Sequence, residues 1–348
     1  MTSPATSGAT LVPSAAPAKP GSAAPTTRAR SVARGMLGMV VVGSSVGVSR
    51  TLTHAPLFTA QAIRYAVAIP VLLILARTAR ARIVRPRGTE WFWLAGIAAM
   101  GLVLFNVAIV RGVAHAQPAA IAVALALVPI LLGVAGPMLQ RQRPSRQILL
   151  AAAVVTAGSV LVEGAGRTDA AGLAWAAVAL ACEAAFTLLA VPVLPRHGAW
   201  GVSVHSVWMG TTMLIVLSAV TEGPAAAGRL IAADWAAVGY LAVMVTAVAF
   251  LLWYSTVAAL GPGPVGLLTG IAPISAALTG ILTGGRAPGP LVWLGLLVVV
   301  CGLATGLRAP ATRSAHPEPS HHESRQGELT CSATTTRSSS DTRQSALA

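Results

Sequence analysis

Long uncharged stretches constrain this chain more than any other feature. Between Gly35 and Leu307 the only acidic residues are Glu90, Glu163, Asp169, Glu183, Glu222 and Asp234. Charged residues are 10% of the chain, where soluble proteins carry about 25%. What lies between the charges suits a hydrocarbon solvent, and the mean hydropathy of +0.73 agrees. A helix needs roughly 18–25 apolar residues to cross about 30 Å of hydrocarbon. Ten segments meet that length: Gly35–Thr53, Phe58–Ala76, Trp91–Val113, Pro118–Met138, Gln147–Gly164, Gly172–Val193, Trp200–Val220, Trp235–Val257, Val265–Thr283 and Pro290–Leu307. Backbone groups in lipid must be satisfied within their own segment, so these read as helices. The alternating ten-residue pattern of an outer-membrane barrel is missing.

Composition excludes several classes. The net charge of +14 comes almost wholly from arginines in tails and connectors. No basic face with interleaved aromatics exists to hold nucleic acid. The single lysine, Lys19, lies near the N-terminus, so no phosphate-cradling GxxxxGK is possible, and HExxH is absent. Cys182, Cys301 and Cys331 have no metal or disulfide spacing and read as packing residues. No metal or cofactor is expected. Residues 1–34 and 309–348, rich in Ala, Pro, Ser, Thr and Arg, are expected to be disordered tails.

Arginine placement orients the chain. The connectors after the second, fourth and sixth spans hold Arg77, Arg80, Arg82, Arg85, Arg87, Arg141, Arg143, Arg146 and Arg196. The opposite connectors hold only Arg167, Arg229 and Arg286, diluted by acids. Positive connectors stay cytoplasmic, so both termini are expected there, in a multi-pass protein of the cell (plasma or inner) membrane.

The body also repeats. Residues 113–158 align without a gap on 257–302: Pro118 meets Pro262, Pro129 meets Pro273, Pro144 meets Pro288, Gly136 meets Gly280 and Gly158 meets Gly302. Three proline coincidences stand against roughly 0.4 expected by chance from the composition of the two windows. The halves are therefore 35–164 and 172–307, five helices each. Five is odd, so the second half enters from the opposite side. The fold class expected is an all-α membrane protein of ten transmembrane helices in two inverted repeats, an architecture of many secondary transporters.

The segments at 43–68 and 105–131 of the first half, and those at 249–286 and 294–307 of the second, resemble EamA-type transporters of the drug/metabolite transporter superfamily. The resemblance covers about residues 35–308. It implies that Gly43-Ser44 is the first-helix Gly-Ser step, Arg64 the second-helix arginine, and Pro129 and Pro273 the prolines of the fourth and ninth helices. The family's Gly-Glu after those helices is replaced by Gln140-Arg141-Gln142-Arg143 and Gly284-Gly285-Arg286. The implied activity is import or export of a small metabolite, amino acid or drug. An integral-membrane enzyme acting on a lipid-like substrate is the alternative, though the clustered acids or histidines it needs are missing. A channel would need a charged ring or filter loop.

A few polar residues inside spans are candidate site residues. Glu183 is costly in a bilayer, about 2.5–3.5 kcal/mol on insertion scales. It is a proton or cation site, or the structural partner of an arginine. Arg64 binds an anionic group, pairs with Glu183, or snorkels to the interface. His205 titrates or packs. Asn106, Trp253 and Tyr254 offer hydrogen bonds and aromatic walls, unless the last two are lipid-facing bulk. Pro129 and Pro273 leave the carbonyls of Leu125 and Thr269 without their helical donors. Such symmetric breaks line a cavity or are plain packing kinks. Gly43/Gly47, Gly280/Gly284 and Gly302/Gly306 are spaced for close helix contact. Expected partners are a small-molecule substrate, protons and the lipid bilayer, with a homodimer left open and no nucleic acid.

Overall fold

A computed structural model describes residues 25–164, 166–282 and 289–308. Among these it contains ten helices long and apolar enough to cross a membrane. They are α1 (Pro25–Ser49), α2 (Leu57–Thr78), α3 (Glu90–Val113), α4 (Pro118–Leu139), α5 (Arg146–Glu163), α6 (Ala170–Leu188), α7 (Leu194–Thr221), α8 (Ala232–Leu260), α9 (Pro262–Leu282) and α10 (Pro290–Leu307). No strand occurs among the described residues, only an isolated bridge between Ala116 and Thr168. Gly284–Arg286, Pro288, Cys331 and the two tails beyond 25–308 lie outside the described residues.

One helix start differs markedly from the sequence expectation. α1 begins at Pro25 rather than Gly35. Its polar first turns are held by tertiary contacts: the Arg28 guanidinium donates to the Leu307 carbonyl at the end of α10 (3.2 Å), and the Thr256 hydroxyl of α8 donates to the Ser31 carbonyl (3.2 Å). A cation at a helix C-terminus is favoured by the helix dipole. α7 is interrupted at Gly198, whose φ of 61° is not helical, so a short helical stretch from Leu194 precedes a membrane helix that starts close to the expected Trp200.

The two halves match in backbone detail. α5 and α10 correspond residue for residue, from Arg146 and Pro290 to Glu163 and Leu307, in the same register as the matched prolines. α3 contains a π-helical segment, Ala98–Leu104, and α8 has its own at Leu241–Ala249, the equivalent place. α4 is broken at Ala126–Leu127 and α9 at Thr269–Gly270. Packing follows the same two-fold logic. α1 lies against α8 and α9, as α6 lies against α3 and α4, while α2 meets α7, α4 meets α9 and α5 meets α10.

The α5–α10 seam shows the symmetry atom by atom. A Cβ at Gly158 would sit 2.7 Å from the Val299 nitrogen, and one at Gly302 would sit 3.0 Å from the Val155 nitrogen. These are equivalent pairs across the repeat. In a membrane, helices associate by van der Waals contact between close backbones, and only glycine permits this approach. Gly43 likewise touches the Ala272 carbonyl of α9, and Gly306 the Ala151 side chain. Gly47 and Gly280 have open space instead, so the glycine spacings divide into real contacts and coincidences.

Candidate functional site

Backbone breaks that matched in the two halves also meet in space. A cavity of about 440 Å³ lies between them, lined by both breaks and both π segments. Its slots obey the repeat. Met39 and Glu183 face it from equivalent positions, as do Val42 and Phe186, Phe105 and Ala249, and Asn106 and Phe250. Leu125 and Thr269, Ala126 and Gly270, and Pro129 and Pro273 complete the pairs. The lining reaches as far as Val46 and Glu163, near the ends of α1 and α5. At the other, arginine-rich end the helices close: Gly136 is packed against Pro262, and Gly266 against Leu132.

The loosened carbonyls at the breaks are taken up locally. The Thr156 hydroxyl of α5 donates to the Ala126 carbonyl (2.8 Å). The Thr269 carbonyl, expected to lack a donor, accepts from the Ala272 N–H (3.1 Å). A tightened turn has restored the bond that Pro273 removed.

Glu183 is half-buried on the cavity wall and makes no hydrogen bond or ion pair. Arg64 also lines the cavity, but its partner is not Glu183. Its Nε donates to the Thr246 hydroxyl (2.9 Å) and its Nη1 to Gln61 Oε1 (3.2 Å). The guanidinium lies over the Tyr65 ring, 5.2 Å from the centroid. Ion pairs among the described residues involve only Glu90 with Arg196 and His197, and Asp169 with His115. Arg64 therefore neither snorkels nor neutralises Glu183.

Asn106 faces the cavity with its amide nitrogen donating to the Leu102 carbonyl in the π segment (2.5 Å), which leaves its Oδ1 without a protein partner. Trp253 is a cavity wall, not lipid-facing bulk: it is 4% exposed and its indole N–H donates to Thr187 (3.0 Å). Tyr254 is fully buried but stands one layer back. Its hydroxyl donates to the Phe186 carbonyl (3.2 Å), and its ring backs Phe186 at 5.1 Å.

His205 lies away from the cavity. Nε2 meets the Val84 carbonyl in the connector after α2 (2.9 Å), and Nδ1 accepts from the Trp208 indole (3.2 Å). With both ring nitrogens taken, it is a packing residue at the arginine-rich end. The reason is helical phase: α7 turns that face towards α2 and α3.

Several lining residues carried no sequence signal. Tyr65, Phe186 and Phe250 are ordinary apolar-segment residues, and Thr246, which holds Arg64 from behind the wall, is a lone hydroxyl in an apolar run. Glu163 was visible as an acid but placed at a helix end. Gly43-Ser44-Ser45-Val46-Gly47 has the formal spacing of a nucleophile elbow, G-x-S-x-G. It lies inside α1 rather than on a strand-to-helix turn, and the Ser45 hydroxyl is spent on the Val42 carbonyl (2.6 Å).

Outside the bilayer, acids brace the helix starts. Glu222 accepts from the Phe58 and Thr59 N–H groups (2.9 and 2.8 Å) and the Thr59 hydroxyl (2.6 Å), tying the α7–α8 connector to the start of α2. Asp169 caps α6 through the Gly172 N–H (2.7 Å) and meets His115 (3.1 Å). Those two contacts hold its carboxyl below the usual aspartate range.

The model of the EamA-like transporter family matches residues 31–163 and again 170–306. An uncharacterized transporter of Bacillus subtilis (strain 168), YetK, is 26% identical over 76% of this chain and 81% of its own length. A probable terminal-alkyne amino-acid exporter of Streptantibioticus cattleyicolor is 25% identical over 63% of this chain and 74% of its own. A solved crystal structure with 18% identity superposes with a TM-score of 0.68, covering 80% of this chain and 97% of the other, and so shares the fold. Two tandem family matches fall on the two halves that the helix breaks and the glycine seam pair up, and the chain belongs to the EamA-like transporter family: it is a multi-pass membrane transporter of small molecules, not an enzyme.

Proposed function

We propose that this chain is a secondary active transporter that works by alternating access, with Glu183 as the group that takes and releases the coupling proton. The observation that carries the reading is an unpaired carboxylate in a cavity whose slots are symmetric between two inverted halves. An ionisable group inside a membrane protein is expensive and is expected to face such a cavity when it has a use. Equivalent π segments and helix breaks on both sides of the cavity supply two places to bend. Exchanging the conformations of the halves would close one mouth and open the other. Arginine-rich connectors support an orientation with both termini in the cytoplasm, in a protein of the cell membrane. The substrate is a small molecule with an apolar body, suited to walls of Phe186, Phe250 and Trp253. The similarity to an amino-acid exporter makes an amino acid the first solute to try and export the first direction.

The test is flux in proteoliposomes under an imposed pH gradient, over a metabolite panel. Glu183→Gln should remove the response to the gradient while leaving solute exchange at equilibrium. Gradient-driven flux that survives the substitution would rule out the coupling role.

A further inference from the structure

We propose that Arg64, held in place by Gln61 and Thr246, is a carboxylate-binding subsite on the cavity wall, so that the transported molecule is a monocarboxylate on an apolar body. This rests on the transporter reading for the use of the cavity.

A guanidinium has five N–H donors in a rigid fork. In Arg64 the Nε donor is spent on Thr246 Oγ1 and one Nη1 donor on Gln61 Oε1. Both acceptors are neutral. Thr246 is fully buried in the π segment of α8, and Gln61 is 8% exposed one turn back on α2. No carboxylate approaches within ion-pair distance. A cation drawn into a protein interior without a counter-charge is costly, and here Arg64 lines the cavity with no hydrogen bond from Nη2 to the described residues.

Pinning Nε and Nη1 fixes the plane of the group while leaving Nη2 undonated. That is the pre-organised geometry for a planar oxyanion. Lysine in its place would be a point charge without the plane. The guanidinium also lies over the Tyr65 ring, a cation–π contact that favours this position.

Charge on the wall selects the valence of the ligand. One cation, Arg64, shares the cavity with two carboxylates, Glu163 and Glu183. With one cation on the wall, the second charge of a dianion such as a phosphate monoester would find no counter-charge. A single carboxylate matches the single cation. The apolar remainder of the ligand then lies against Phe186, Phe250 and Trp253.

The two halves divide this work. Arg64 and Gln61 come from the first half, and Thr246 from the second. The Arg64–Thr246 bond thus joins the halves at the site, and Thr246 is a positioning residue for the subsite.

The experiment uses the full-length protein in detergent and reads ligand-induced shifts of the thermal midpoint. The panel pairs carboxylates of aromatic, branched and linear apolar bodies with their primary amides. At least one carboxylate should stabilise the protein where its amide does not. Thr246→Val keeps shape and should weaken carboxylate binding roughly fivefold to tenfold, because the guanidinium loses one bond that fixes its plane. Arg64→Gln should erase the preference over the amide. Should Arg64→Gln fail to fold, Thr246→Val still carries the test. The proposal is overturned if no carboxylate outperforms its amide on the wild-type chain, or if the preference persists unchanged in either variant. Counterflow in proteoliposomes separates the two readings: an intact carboxylate preference with no flux sinks the transporter mechanism and leaves the subsite standing.

Discussion

The two five-helix halves share a backbone and differ in chemistry. They place π segments, helix breaks, prolines and seam glycines at equivalent positions. They then fill equivalent cavity slots with unlike side chains. Met39 stands where the other half has Glu183, and Asn106 where it has Phe250. Arg64 has no cavity-facing counterpart, since its equivalent, Trp208, is on a partly exposed face of α7. The difference teaches which features serve which purpose. On the alternating-access proposal, symmetric backbone events are what two exchangeable conformations require. Asymmetric side chains are what recognition requires, because a ligand has no two-fold axis.

The strongest way to break this comparison is to swap slots. Glu183→Met should reduce gradient-driven flux at least tenfold, whereas Met39→Leu should stay within about twofold of wild type, since volume-conserving apolar swaps are tolerated. Equal losses in both would mean the halves are functionally symmetric.

The seam should behave in the opposite way. Gly158→Leu and Gly302→Leu each force a side chain into a backbone, and overpacking costs about 1–3 kcal/mol or more. Both should lower the thermal midpoint to a similar degree, and a large inequality would place the symmetry axis elsewhere.

A third measurement sharpens the link between halves at the helix starts. Glu222 reaches from the α7–α8 connector to the first turn of α2. Glu222→Gln leaves shape and removes charge, so a loss of about 1 kcal/mol is expected from weakened bonds to the N–H groups, read as faster amide exchange at Phe58 and Thr59.

The smallest effect concerns Asp169. Its carboxyl is held low by the Gly172 N–H and His115. A depressed folded value contributes stability that is present above the ordinary aspartate value and lost as pH falls through the depressed one. Exchange at the first turn of α6 should therefore be independent of this group above about pH 5 and rise only in stronger acid, and Asp169→Ala should remove that dependence.

Much of this was legible in the sequence. Spans appear because lipid admits only long apolar helices, and the inverted repeat appears through prolines and glycines whose backbone roles leave few substitutes. Six of the eight candidate site residues line the cavity: Glu183, Arg64, Asn106, Trp253, Pro129 and Pro273. Polar groups and prolines inside spans are costly, and so they stand out. The π segments were invisible, because a shift in hydrogen-bond register leaves an apolar run apolar. His205 and Tyr254 stand off the cavity wall, because helical phase is set by neighbouring helices. The start of α1 was missed because Ser31 and Arg28 are helical through contacts with α8 and α10.

What the sequence determined by itself is the solvent, the number of crossings and the duplication, since hydropathy and backbone-restricting residues are local properties. Which groups meet was decided only by the tertiary structure. Arg64 faces Thr246, 182 positions away, and leaves Glu183 without an ion pair. No local rule specifies that choice, because it depends on how two inverted halves close around one cavity.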